Sequence, residues 1–139
     1  MGRTFRVITS WKEPGMSTWT ADELTRIGAA EELEVAFLRD DATLGKPRTV
    51  WVVREGDVLY VRSVYGRDSA WFRGVMRSHA GHIRAGGVSK NVTFVEAGRA
   101  LDAELDAAYR RKYLRFADSI VDTVTSETAQ DATLRLEAH

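Results

Sequence analysis

Polar and apolar residues alternate along this chain in short stretches separated by turn residues, with three longer stretches of helical period between them. Leu33, Val35 and Phe37 alternate with Glu32, Glu34 and Ala36, the period-two signature of a half-buried strand. Residues 49–53 (TVWVV) and 58–62 (VLYVR) are β-branched and aromatic runs of strand length. The Glu55-Gly56-Asp57 segment between them supplies the glycine that a tight hairpin needs. Residues 81–85 (GHIRA) and 88–95 (VSKNVTFV) read as a second hairpin joined at Gly86-Gly87, and residues 132–136 (ATLRL) alternate again as a closing strand.

Helical signals fill the gaps. Thr20-Ala21-Asp22-Glu23 matches a capping box, so a helix is predicted from there to about Ala30, with Leu24 and Ile27 facing inward. Asp68 or Ser69 offers an N-cap for a helix ending near Ser78. From residue 100 to about 124, apolar positions including Leu101, Leu105, Tyr109, Tyr113, Phe116 and Ile120 recur at three- and four-residue spacing. Residues 1–15 show no clear period and are read as an arm outside the core, leaving residues 16–139 as one domain. The sum is a mainly β, α+β fold of about six mostly antiparallel strands with N-terminal, middle and C-terminal helices. So many short strands in one small domain imply a closed or nearly closed barrel, since closure removes exposed edges.

Charge changes this picture more than composition does. The formal net charge is zero, but residues 39–90 carry 10 Lys/Arg against 5 Asp/Glu, while both flanks are acidic. A balanced total argues against non-specific nucleic-acid binding, and the local surplus suits a small anionic ligand. No apolar run has the length of a membrane span, and the absence of cysteine excludes disulfides and thiolate chemistry. The expectation is a cytoplasmic protein without nucleic-acid or membrane partners.

Within the basic stretch, a strand runs into a loop and then a helix start carrying Arg67 and Arg73, an arrangement suited to holding phosphate. Arg67 has a plainer reading as the ion-pair partner of Asp68, and Trp71 a plainer one as core. Trp51 and Tyr60 read as core or dimer interface. His79 and His82 straddle the Gly81 break with no carboxylate nearby in sequence, so no metal site is predicted. Tyr109, Lys112 and Tyr113 read as helix packing with a snorkelled lysine. No catalytic dyad is evident; an enzyme on this chain would rely on a cofactor for its chemistry.

Several motifs together resemble the FMN-binding split-barrel superfamily, in its branch of deazaflavin-dependent nitroreductase-like proteins and a neighbouring family without assigned function. They are Gly45-Lys46-Pro47-Arg48-Thr49 before a strand, the Gly56-Asp57 hairpin, Leu59-Tyr60-Val61 leading to Ser63, the block from Gly66 to Arg73, and Ala108-Tyr109-Arg110-Arg111-Lys112-Tyr113. The resemblance covers about residues 20–137. It implies a split barrel that binds FMN or a deazaflavin, forms a homodimer, and passes a hydride to a small organic acceptor of quinone or nitro type. It also implies Lys46, Arg48, Ser63, Arg67 and Trp71 as cofactor contacts, with Thr49 and Ser69 beside them in the same motifs. Relatives of that branch carry a lysine and paired glycines after the third strand, where this chain has Arg62-Ser63-Val64-Tyr65-Gly66. A flavin-free barrel holding another small ligand, or working without a cofactor, therefore stays open as the alternative.

Overall fold

The computed structural model of the protein describes residues 19–139. The N-terminal arm assigned to residues 1–15 lies outside that range. Seven strands form one antiparallel sheet: β1 (Leu33–Phe37), β2 (Arg48–Val50), β3 (Val52–Glu55), β4 (Val58–Arg62), β5 (Ala80–Ala85), β6 (Val88–Glu96) and β7 (Thr133–Ala138). Five helices accompany them: α1 (Ala21–Ala29), α2 (Ala70–Ser78), α3 (Asp102–Lys112), α4 (Asp118–Thr125) and α5 (Glu127–Gln130). The strand order is β2-β1-β5-β6-β7-β4-β3.

The two ends of that order are covalent neighbours. The run expected as one strand over residues 49–53 is two, because the chain bends at Trp51. Its first half pairs with β1 (Leu33 opposite Val50), and its second half pairs with β4 (Val52 opposite Val61). One bent segment thus closes the sheet into a nearly complete barrel, which raises the expected six strands to seven.

Leaving one partner for another frees backbone polar groups at the bend, and α3 satisfies them. The Tyr109 hydroxyl donates to the Trp51 carbonyl at 3.2 Å. The Val52 amide donates to the Tyr113 hydroxyl at 3.2 Å, and Lys112 Nζ donates to the Val52 carbonyl at 2.6 Å. The Tyr113 hydroxyl in turn donates to the Glu31 carbonyl at 2.6 Å. Its ring stacks on Trp51 at 3.8 Å between centroids and 2° between planes. Burial pushes the pKa of both tyrosines up, so they act as neutral hydrogen-bonding groups.

Two apolar clusters follow from strand alternation. Inside the barrel, Leu33, Val35, Val52, Leu59, Val61, Ile83, Phe94, Leu134 and Leu136 pack with Leu24 and Ile27 of α1 and Phe72 and Val75 of α2. On the opposite face of β3 and β4, Val53 and Tyr60 pack under Leu105, Ala108, Tyr109 and Tyr113, with Val121 and Val124 of α4. Tyr60 is accordingly core, one of the two places its sequence position allowed.

The local signals behave as their chemistry requires. Glu23 N donates to Thr20 Oγ1 at 3.1 Å and Thr20 N to Glu23 Oε1 at 3.0 Å, completing the capping box of α1. Gly56, Gly86 and Gly87 adopt positive φ in the two hairpin turns. Ser69, not Asp68, caps α2, its hydroxyl accepting from Phe72 N at 3.4 Å. The single helix expected over residues 100–124 is broken between Lys112 and Asp118. There Phe116 packs against Trp51 and Tyr113, at centroid distances of 4.9 and 6.0 Å. No helix among the described residues is long and apolar enough to cross a membrane.

Candidate functional site

The bend at Trp51 and the loop after β4 leave an open cavity of about 620 Å3 on the outer side of the barrel wall. The β2 segment contributes Arg48, Thr49 and Val50 to its lining, the first turn of α2 contributes Ser69, Ala70 and Trp71, and α4 contributes Ile120, Thr123 and Val124. Glu32, Trp51, Arg62, Val64 and Tyr65 complete the wall. Tyr65 is 81% exposed and Ile120 47%, so the rim carries apolar surface facing water.

Of the seven residues expected at a cofactor site, four line this cavity: Arg48, Thr49, Ser69 and Trp71. Arg48 is exposed, and its guanidinium has no hydrogen-bond or ion-pair partner among the described residues. Trp71 is only 8% exposed and belongs to the barrel core, so its core reading holds while its edge reaches the cavity.

The other three lie elsewhere. Ser63 is buried behind the lining, its hydroxyl 2.9 Å from that of Ser69, so it braces the cap of α2. Lys46 sits two residues before β2, exposed to solvent, and is not part of the wall. Arg67 is engaged away from the cavity: Nη1 donates to Glu96 at 2.7 Å and to the Asp131 carbonyl at 3.1 Å. That hydrogen bond to Glu96 raises the pKa of Arg67 and lowers that of Glu96. Its partner is therefore Glu96 and not the adjacent Asp68. Among the described residues no three His, Cys, Asp or Glu side chains gather as a metal site; His82 faces Ser89 at 3.0 Å, and His79 caps the end of α2 with φ 56°.

Arg62 is a residue of the site that sequence reasoning passed over. It is 1% exposed, yet it contributes to the cavity wall. Its Nε donates to Thr133 Oγ1 at 3.0 Å, and its Nη1 donates to Asp106 at 2.5 Å and to the Val124 carbonyl at 3.0 Å. Nη2 lies 3.6 Å from Asp102 Oδ1, and neither atom has a hydrogen-bond partner. The signal was available: Arg62 shares a strand face with Tyr60, two residues away, and a charge on a buried face demands partners. Because two carboxylates neutralise Arg62, the uncompensated positive charge of the cavity is that of Arg48, with Glu32 the one carboxylate in the wall.

Comparison with known proteins agrees with this architecture. A family model described as "Uncharacterized protein conserved in bacteria (DUF2255)" matches residues 23–136. The chain belongs to the DUF2255 family. This DUF2255 protein matches no curated protein in sequence. Its fold is similar to that of an F420 reductase, at 11% identity and a TM-score of 0.51, over 81% of this chain and 88% of that one. It is also similar to a conserved hypothetical protein from Mycobacterium tuberculosis, at 12% identity and a TM-score of 0.57, over 93% of this chain and 86% of that one. The DUF2255 chain thus shares the fold of these two proteins, here a nearly closed antiparallel barrel with helices packed on it.

Proposed function

We propose that this protein is a flavin- or deazaflavin-binding oxidoreductase that transfers a hydride to a small organic acceptor of quinone or nitro type, and that it works as a homodimer. The observation that carries this reading is the convergence of Arg48, Thr49, Ser69 and Trp71 on one cavity beside the first turn of α2. An unpartnered guanidinium and a helix N-terminus at one end suit a phosphate, and a cavity of several hundred Å3 suits a cofactor-sized ligand. Trp51, its ring fixed by stacking on Tyr113, and the edge of Trp71 give the wall planar apolar surface of the kind a fused ring system packs against. Bound there, the cofactor would supply hydride transfer. The chain's own residues would anchor its anionic end through Arg48, orient it against the bend, and shield it with α4 and the Val64–Tyr65 loop. Lys46 and Arg67 would act from outside the lining, as longer-range positive charge, and Ser63 through Ser69.

Calorimetric titration of the protein with FMN and with a deazaflavin tests the reading. Arg48→Ala should weaken binding by roughly 1.5–3 kcal/mol, the range for hydrogen bonds to charged groups, and Arg48→Lys should recover part of the loss. Arg67→Ala should weaken it less, since Glu96 already holds that guanidinium. Absence of binding by the wild type defeats the proposal and favours a barrel that takes another small ligand.

A further inference from the structure

A second cleft, of about 400 Å3, lies between α1, β3 and α3 and shares no lining residue with the first cavity. One wall is the face of α1 bearing Leu24, Thr25 and Gly28; the polar side is Arg54 from β3 with Arg111 and Lys112 from α3. Three cations and no carboxylate line it. Arg54 is held along the cleft by donating Nε to the Gly56 carbonyl at 2.7 Å, with Asp57 at 3.7 Å on the turn behind it. Glycine at position 28 leaves room for that arginine, because a Cβ there would sit 3.3 Å from Arg54 Cδ.

Arg111 is exposed, and its guanidinium has no hydrogen-bond or ion-pair partner among the described residues. Lys112 is half-buried, its ammonium bonded to the Val52 carbonyl and 5.2 Å from the Tyr113 ring centroid. A carbonyl and a ring face compensate an ammonium less well than a carboxylate does. Its desolvation lowers its pKa to about 8. Arg54 on β3 and Arg111 on α3 line the same cleft, and the α1 residues of its wall bring no titratable group.

We propose that this cleft is a ligand site for a small dianionic oxyanion of the phosphate or phosphomonoester class. Arg54 and Arg111 form its two forks, and Lys112 lies at its floor. Guanidinium groups match phosphate oxygens in paired contacts, and Leu24, Val53 and Ala108 beside them supply apolar wall for the organic part of an ester. An anion placed there gives the ammonium the partner the fold does not provide, so binding and protonation of Lys112 are linked.

The test is calorimetry of the full chain with inorganic phosphate near pH 8, at ionic strength matched with sodium chloride, in two buffers of different ionisation enthalpy. Saturable binding should appear at millimolar phosphate, with net uptake of up to about half a proton as Lys112 charges fully. Arg111→Ala should weaken binding by roughly tenfold or more. Lys112→Arg keeps a cation that does not titrate near this pH, so it should bind phosphate with the proton uptake gone. Arg48→Ala removes any phosphate held in the other cavity and should leave the Arg111-dependent binding, with its proton uptake, in place, which separates this site from the proposed cofactor site. No saturable binding overturns the proposal. So does binding lost in Arg48→Ala but kept in Arg111→Ala, or proton uptake that persists in Lys112→Arg.

Discussion

Replacing Arg62 by methionine should be among the most damaging single substitutions in this protein. The side chain has no exposure and joins four elements: β4, on which it sits, β7 through Thr133, α4 through the Val124 carbonyl, and α3 through Asp102 and Asp106. Methionine keeps an unbranched apolar stem, so the packing change is small and the loss is mainly electrostatic. Removing one partner of a buried pair costs about 3–5 kcal/mol because the remaining charge is left without compensation. Here Asp102 keeps its ion pair with Arg99 and Asp106 its hydrogen bond from Gln130, and the two side chains, 19% and 24% exposed, recover some water, so the expected loss lies at the low end, about 3 kcal/mol. For a chain of this size that is a fall in Tm of roughly 10 °C. Urea and thermal unfolding followed by circular dichroism and tryptophan fluorescence measure it. Adding Asp102→Asn and Asp106→Asn to Arg62→Met removes the stranded charges and should restore most of the stability. A loss below about 1 kcal/mol, or a triple variant no better than the single one, would refute the account of Arg62 as a compensated buried charge.

Other expectations follow from single contacts. The Glu23 carboxylate accepts from the Thr20 amide and pairs with Lys90 at 2.9 Å, which together hold its pKa below the ordinary carboxylate value. Its charged form therefore stabilises the fold fully above that ordinary value and stops doing so as pH falls through the lowered one. The stability difference between wild type and Glu23→Gln should be constant near neutrality and shrink in strong acid; a difference that grows on acidification contradicts the assignment. Gly81→Ala should destabilise by about 3 kcal/mol or more in urea unfolding, because the added Cβ would lie 2.1 Å from the Ala36 carbonyl oxygen in the paired strand. Gly98→Ala, with open space around it but φ of 69°, should cost only about 1–2 kcal/mol of backbone strain. Light scattering at micromolar concentration should return twice the 15.6 kDa chain mass, and a monomer would remove the proposed homodimer.

What was legible in the sequence is what local chemistry decides. Gly56 and Gly86-Gly87 mark turns because positive φ is a property of the residue, and Thr20 with Glu23 marks a helix start because both ends of the capping box lie within four residues. The bend at Trp51 was not legible. No glycine or proline marks it, and the backbone turns there because two distant strands, β1 and β4, each claim half of one run. The break after Lys112 was not legible either: Asp118 suits a helix start, but the apolar spacing continues across the gap. At the site, Arg48, Thr49, Ser69 and Trp71 were reached through motif resemblance. The ion pair of Arg67 and the network of Arg62 were not legible, since Glu96 is 29 positions from the first, and the partners of the second lie on α3, α4 and β7.

The bend also couples two pairings that in an open sheet would be independent. Val50 is in register with Leu33 and Val52 with Val61, with one residue between them. An insertion or deletion at Trp51 has no loop to absorb it, so one side must slip by a residue and turn its side chains to the opposite face. Slippage of β2 would carry Arg48 and Thr49 off the cavity wall; slippage of β3 would exchange Val52 and Val53 between the inner and outer clusters. The segment is thus intolerant of length change even where it tolerates substitution, whereas the exposed turn over residues 40–43, outside both pairings, is where this barrel has slack to accept inserted residues.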